Sequence, residues 1–268
     1  MQKIAVITGA TSGIGLACAR LFLSKGYKVY GIARKPYAGT DFMCFSADVC
    51  DYSAIDGVLN EIYAREGHID VLVNNAGMGI AGAIEEASPE NIEKIVAVNL
   101  TALCVLCCKT VPYMRGNCAK GGSRVNPEGG KIINISSVGG IMPLPYQAMY
   151  SATKAGVEVF SRAIANELKP YNIKVCAVLP NDTKTGFTSA RVCEGASERA
   201  RRSVEKMARD EQRGKSPEAV AKVIYQVAKR KNPPLRVSVG GISKLEVFLS
   251  RIFSVRLVNY IIAKLYCK

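Results

Sequence analysis

The sequence predicts an α/β fold, and three observations carry that prediction. Short apolar runs that read as buried strands alternate with helical stretches along the chain. The first of them, Ile4–Ile7, passes through a glycine-rich turn into an amphipathic helix, Leu16–Ser24. A second run, Lys28–Ala33, then arrives at the distance that completes a strand–turn–helix–strand unit. With 268 residues, 49% of them hydrophobic, the chain can bury a sizeable core as one large domain, or one domain with a small appendage.

Taken in order, the turn Thr8–Gly15 has glycines at 9, 13 and 15. Glycine lets a backbone approach a pyrophosphate closely, and a helix N-terminus favours its negative charge. Gly9, Thr11, Ser12, Gly13 and Ile14 are therefore candidate dinucleotide contacts. The end of the second strand bears on which nucleotide is held. A carboxylate there would grip ribose hydroxyls, whereas this chain has Ala33, Arg34 and Lys35. A guanidinium can hold a 2′-phosphate through two hydrogen bonds, so Arg34 and Lys35 point to NADP(H). Ala47-Asp48-Val49 closes a third strand-like stretch and places Asp48 and Val49 near an adenine. Asp70–Gly77 is a continuous apolar strand ending in Asn75, Ala76 and Gly77. Ile92–Leu103 reads as a helix carrying Asn99, whose amide on an apolar face suits holding water.

Lys131–Ile135 reads as another buried strand and leads to Ser137. Pro143 and Pro145 then keep the chain extended, because a residue before proline is pushed out of the helical region. From about Gln147 the pattern is helical. Tyr150 and Lys154 are four apart, so they share a face. A free tyrosine, with a pKa near ~10, is a poor acid or base at neutral pH. An ammonium at ~4 Å with an effective dielectric of about 20 supplies on the order of 4 kcal/mol, enough to lower it by about three units. Ser137 would steady the reacting carbonyl oxygen. Alone, a Tyr and a Lys at this spacing are as readily a packed ring beside a solvated amine; the company they keep favours the proton-handling reading. Ile173–Leu179 is a further strand, followed by Pro180, Asn181, Thr183 and Thr185.

Thr8–Gly15, Asn74–Gly77, Asn99, Ser137 and Tyr150-x-x-x-Lys154, in that order and spacing, resemble the short-chain dehydrogenase/reductase family over roughly residues 3–190. The resemblance implies a single Rossmann-type, doubly wound domain with a seven-stranded parallel sheet and helices on both faces. It makes Tyr150 the general acid/base, Lys154 its partner and a ribose ligand, Ser137 the carbonyl holder and Asn99 the anchor of a proton relay. It adds Pro180, Thr183 and Thr185 to the cofactor contacts. It also implies a homodimer or homotetramer packed through the helices of Asn99–Cys108 and Tyr150–Leu168. Family members usually have glycine after the proline that Asn181 follows here; asparagine tolerates left-handed angles, and its amide could lie beside the substrate.

Val138, Leu144, Tyr146, Asn181 and Phe187 are the expected substrate contacts. All but Asn181 are apolar, and that character, with a Ser137–Tyr150 segment like that of hydroxysteroid dehydrogenases, points to a ketone or secondary alcohol on a steroid or bile acid. A general lipid or xenobiotic carbonyl reductase is the alternative, and a non-catalytic NADPH sensor a third. The stretch Phe187–Lys215 is polar with helical composition, and the resemblance makes about 181–215 the mobile lid over the substrate pocket. Arg115–Gly130 reads as a flexible basic loop.

From Asn181 onward there are 19 Lys/Arg against 8 Asp/Glu, +11 of the total +14. No nucleic-acid motif accompanies that charge, and aromatics are not interleaved with it. The domain itself is read as 1–243. Residues 244–268 form an extension with apolar residues at helical spacing and basic residues between them. It could pack on the lid or a partner subunit, or lie as an amphipathic helix on an anionic membrane. Ten cysteines without framework spacing argue for free thiols in a reducing, cytoplasmic setting, and one histidine leaves little to bind a metal. The N-terminus does not resemble a signal peptide, and no apolar run is expected to approach the roughly 20 residues of a membrane span.

Overall fold

The apolar runs become strands because their β-branched residues are buried on both faces of a sheet. In chain order the elements are β1 (Ile4–Thr8), α1 (Gly13–Ser24), β2 (Lys28–Ala33), β3 (Met43–Ser46), α2 (Tyr52–Glu66), β4 (Val71–Asn74) and β5 (Ile80–Gly82). There follow α3 (Pro89–Val96), α4 (Ala102–Arg115), β6 (Lys131–Ile135), α5 (Ala148–Glu167), β7 (Lys174–Leu179) and β8 (Val192–Glu194). The remainder is α6 (Glu198–Gln212), α7 (Pro217–Lys229), β9 (Arg236–Ser238), α8 (Gly241–Ile252) and α9 (Val255–Tyr266). The computed structural model describes residues 2–115, 129–195 and 197–267, with the backbone of 117–118 and 122–123. Most of the expected loop Arg115–Gly130 lies outside the described residues.

Seven strands form one parallel sheet in the order β9-β7-β6-β4-β1-β2-β3. The chain winds outward from β1 to β3, returns to β4 beside β1, and winds the other way. One core cluster, including Ile55, Leu59, Leu106 and Val157, covers one face under α2, α4 and α5. The other, including Phe22, Val73, Val220 and Ile224, covers the opposite face under α1 and α7. This is the doubly wound Rossmann-type α/β fold that was expected. Its ligand crevice lies beyond the C-terminal ends of β1 and β4, where the winding reverses.

Three features differ from expectation. The helix read at Ile92–Leu103 is part of a continuous run, Pro89–Arg115, with a π-helical turn at Ala97–Thr101. That run is long and apolar enough by composition to cross a membrane. It is instead a core helix, since Ile95, Leu103, Leu106 and Met114 are buried against the sheet and its covering helices. After β6 the chain is not simply extended: Val138–Gly140 makes a 3₁₀ turn. The extension is two helices, separated at Phe253–Ser254, because the Ser254 hydroxyl accepts from Leu257 N and starts a new N-terminus.

Candidate active site

The glycine turn is shaped for close approach. A Cβ at Gly15 would stand 2.1 Å from the Gly9 carbonyl oxygen, so only glycine fits where α1 meets the turn. Ser12 caps α1 without a side-chain hydrogen bond, and the first helical turn has no acidic residue. Its N–H groups and positive dipole end are thus left for an anion. The loop after β4 is tied to this turn: Thr8 Oγ1 accepts from Asn75 N (3.0 Å) and Ala76 N (2.9 Å), and Asn75 Nδ2 donates to Thr8 O (3.0 Å). Thr185 closes the turn from above, 3.5 Å from a Cβ built at Gly13. Arg34 and Lys35 stand exposed after β2, with no ion pair among the described residues. Asp48, which accepts from Cys50 N (2.9 Å), and buried Val49 follow β3 beside them. This cradle fits a dinucleotide.

Tyr150, Lys154 and Ser137 come together because a turn can lie directly on a helix. A Cβ at Gly140 would be 2.7 Å from the Lys154 carbonyl carbon, so glycine lets the 3₁₀ turn touch the backbone of α5. Ser136 Oγ donates to the same Lys154 carbonyl oxygen (2.8 Å). Ser137 then lies close enough to the Tyr150 phenol to favour its ionised form, while accepting from Gly139 N (3.1 Å). Pro180, at the end of β7, holds the turn by accepting from Val138 N (3.0 Å). Lys154 is buried, donates to Ile135 O (2.9 Å), and lies 5.8 Å from the Tyr150 ring centroid. Gly77 borders both Lys154 Nζ and Asn99 Oδ1.

Two expectations about this cluster change. In the protein without coenzyme, burial rather than the Lys154 ammonium sets the phenol: Tyr150 is pushed up, with the Ser137 hydroxyl pulling down, the Glu211 carboxylate adding to the rise and Arg191 opposing it. Burial also pushes the Lys154 ammonium down to about 8. Second, the Asn99 side chain is engaged by the neighbouring backbone. Its Oδ1 accepts from Met78 N (2.8 Å) and its Nδ2 donates to Met78 O (2.9 Å), so it pins the loop after β4. Its π turn is the irregularity that often marks a functional site.

The segment expected as a lid contributes Phe187 beside the cluster. Phe187 places its ring centroid 5.9 Å from that of Tyr150, and its ring lies 2.9 Å from a Cβ built at Gly79. Strand β8 pairs with β5, and Glu194 accepts from Ser88 N (3.1 Å) and Asn91 Nδ2 (2.8 Å), which ties the lid to the start of α3. Thr183 bridges to Lys215 at the far end of the lid, and its hydroxyl donates to Asn181 O (2.8 Å). Leu144 is half-buried, its N–H donating to Ser151 Oγ (3.2 Å). Tyr146 has φ +60°, a left-handed angle that costs a non-glycine residue about 1–3 kcal/mol, and its carbonyl accepts from Gly82 N (2.9 Å).

Val138 and Asn181 turn elsewhere. Val138 is buried beneath Val247 of α8 with Ala177 and Leu179, and Asn181 Nδ2 donates to Glu246 Oε2 of α8 (3.3 Å). Asn181 keeps an ordinary negative φ, so the left-handed turn is not needed. Sequence reasoning missed Arg191 and Glu211. Their side chains form a largely buried ion pair, 2% and 16% exposed, whose charges act on Tyr150. Thr188 donates to the same carboxylate, while Arg191 Nε and Nη1 are buried without a hydrogen-bond partner among the described residues. Twenty residues separate the pair and no local pattern joins it.

Comparison with known proteins accounts for this arrangement. The short chain dehydrogenase family model matches residues 3–194. A 3-ketodihydrosphingosine reductase of Bacteroides thetaiotaomicron is 38% identical over 246 residues, spanning 89% of this chain and 88% of that protein. An NADPH-dependent 3-dehydrocapnine reductase of Ornithobacterium rhinotracheale is 34% identical over 195 residues, 69% of this chain and 66% of the relative. Among solved structures, a short-chain dehydrogenase from Streptomyces avermitilis superposes with a TM-score of 0.82 at 29% identity, covering 96% of this chain and 94% of that one. The chain is an oxidoreductase of the short-chain dehydrogenase/reductase family, whose members use nicotinamide cofactors.

Proposed function

We propose that the chain is an NADPH-dependent reductase of a 3-keto sphingoid base, a long-chain 2-amino-1-hydroxy ketone. The observation that carries the substrate is how far the likeness to the Bacteroides reductase extends. The family model stops at 194, yet that likeness spans 89% of the chain and so reaches through the lid and into the helix after it. The lid is the segment that covers the pocket. Neither relative described above is named for a steroid or bile acid. Arg34 and Lys35, exposed at the end of a β2 strand that does not itself end in a carboxylate, favour a 2′-phosphate and hence NADP(H).

The bound coenzyme supplies the hydride. Tyr150 donates its proton to the ketone oxygen as the alcohol forms, and Ser137 hydrogen-bonds that oxygen as charge develops. Lys154 orients the ribose and favours the phenolate left on Tyr150. Phe187 keeps water out above them. A non-catalytic sensor would have no use for this set. Assembly through the outer faces of α4 and α5, where Val159 is 57% exposed, belongs to the same proposal.

The test follows NADPH oxidation with 3-ketodihydrosphingosine in mixed micelles, against panels of steroids, bile acids and small aldehydes. The keto base should turn over fastest. Tyr150→Phe should lower kcat by about 10²–10⁴-fold while leaving NADPH affinity unchanged. Faster reduction of a steroid, or turnover that survives in Tyr150→Phe, overturns the reading.

A further inference from the structure

Fifteen large apolar side chains are exposed among the described residues, and ten of them fall between Ile242 and Leu265. Scattered exposure is ordinary, but concentration on one element marks a surface that meets something apolar. On α8, Ser243 and Val247 are buried while Ile242, Leu245, Phe248 and Ile252 line the opposite side, 56–76% exposed. Helix α9 rests on the body through Val258, Ile262 and Tyr266, four residues apart, with Tyr266 under Lys206 Nζ of α6 at 4.5 Å. Its other side presents Leu257, Tyr260, Ile261 and Leu265.

Charge selects the occupant. Lys244, Arg251, Arg256 and Lys264 are all exposed on these helices. Their single carboxylate, Glu246, is half-buried and engaged by Asn181. A second copy meeting this face would set cations against cations with no acidic partner. Each helix has 12 residues, about 18 Å at 1.5 Å per residue, too short for a ~30 Å hydrocarbon core. An apolar side flanked by cations on a short helix suits the plane of an anionic lipid interface.

We propose that α8 and α9 dock the protein on an anionic phospholipid bilayer, their apolar sides among the acyl chains and their Lys and Arg side chains at the headgroup phosphates. The surface adjoins the lid: α9 touches α6, and α8 borders a cleft of about 450 Å³ that also includes Asn181, Asp210 and Gly214. None of this depends on which ketone the active site takes.

The full-length protein is to be sedimented with vesicles of equal parts phosphatidylglycerol and phosphatidylcholine, and with phosphatidylcholine alone, at low and high salt. It should bind the anionic vesicles, release at high salt and leave the neutral ones largely in the supernatant. Replacing Lys244, Arg251, Arg256 and Lys264 by Gln should weaken binding on the order of a hundredfold or more, taking roughly fivefold per charge. Phe248→Glu with Leu257→Glu should abolish it. Circular dichroism and the thermal midpoint of both variants should match those of the parent. Failure to sediment with anionic vesicles, equal binding to neutral ones, or a dimer that Phe248→Glu dissociates in light scattering overturns the proposal.

Discussion

Lys154 should cost the cofactor-free protein stability, and Lys154→Met measures how much. The side chain is 5% exposed, and burial alone lowers its ammonium from 10.5 to about 8. At about 1.4 kcal/mol per pKa unit, keeping it charged and buried costs about 3 kcal/mol at pH 7. Methionine keeps most of the apolar stem and removes the charge. It also removes the hydrogen bond to Ile135 O, and leaving that carbonyl unpaired costs about 1–3 kcal/mol. Lys154→Met should therefore be as stable as the parent at pH 7, or more stable by about 1–2 kcal/mol. The sign with pH is fixed. Above about 8 the folded lysine releases its proton while the unfolded one holds it up to 10.5, so the parent gains stability across that window and the variant does not. Urea denaturation at neutral pH and near the top of that window reads both quantities. A variant clearly less stable at pH 7, by an amount that does not grow with pH, would refute the burial argument. Turnover by the same variant should fall sharply, which would identify a residue kept for chemistry at the expense of the fold.

Arg34→Glu would set a carboxylate against the 2′-phosphate; the ratio of kcat/KM for NADPH over NADH should fall at least tenfold, taking charged hydrogen bonds at about 1.5–3 kcal/mol. Arg191→Met leaves Glu211 largely buried without its guanidinium, so urea denaturation should show a loss of about 3–5 kcal/mol, much of it recovered in the double variant with Glu211→Gln. Burial, and then Asp210, Glu211 and Glu246, raise Asp182 from 3.8 to about 6. The folded protein keeps that proton where the unfolded chain has lost it, so stability falls as pH rises across this window and stays lower above it. Asp182→Asn should flatten that slope and raise the thermal midpoint at neutral pH; an unchanged slope would place the titration elsewhere.

What the sequence made legible was what local geometry determines. Tyr150 and Lys154 share a face because helical spacing puts them there, and the turn Thr8–Gly15 declares a close approach through Gly15 itself. Strand alternation with helices is enough to propose the sheet. Side-chain direction at loop positions is another matter, since it depends on which distant element arrives. Asn99 was visible as an amide on an apolar helix, but not that Met78 would occupy both ends of it. Arg191 and Glu211 meet only because β8 pairs with β5 and α6 then doubles back over the pocket. The division of the extension was readable, because Ser254 is an ordinary N-cap residue between two apolar stretches.

The asparagine after Pro180 and the helices after β9 explain one another. Glu246 is half-buried, and burial raises its carboxyl above the usual range. A glycine at 181 would leave that carboxylate without the amide that reaches it at 3.3 Å. Val138 fills the space under Val247 in the same way, so two positions expected at the substrate hold α8 to the sheet. The two readings of the extension therefore do not compete. Its inner side packs on the body, through buried Val247 and Ile262 and half-buried Tyr266, and that anchorage holds the apolar outer side in fixed relation to the lid. A loosely tethered amphipathic helix could find a membrane, but only a helix packed on both the sheet and α6 would orient the pocket relative to it.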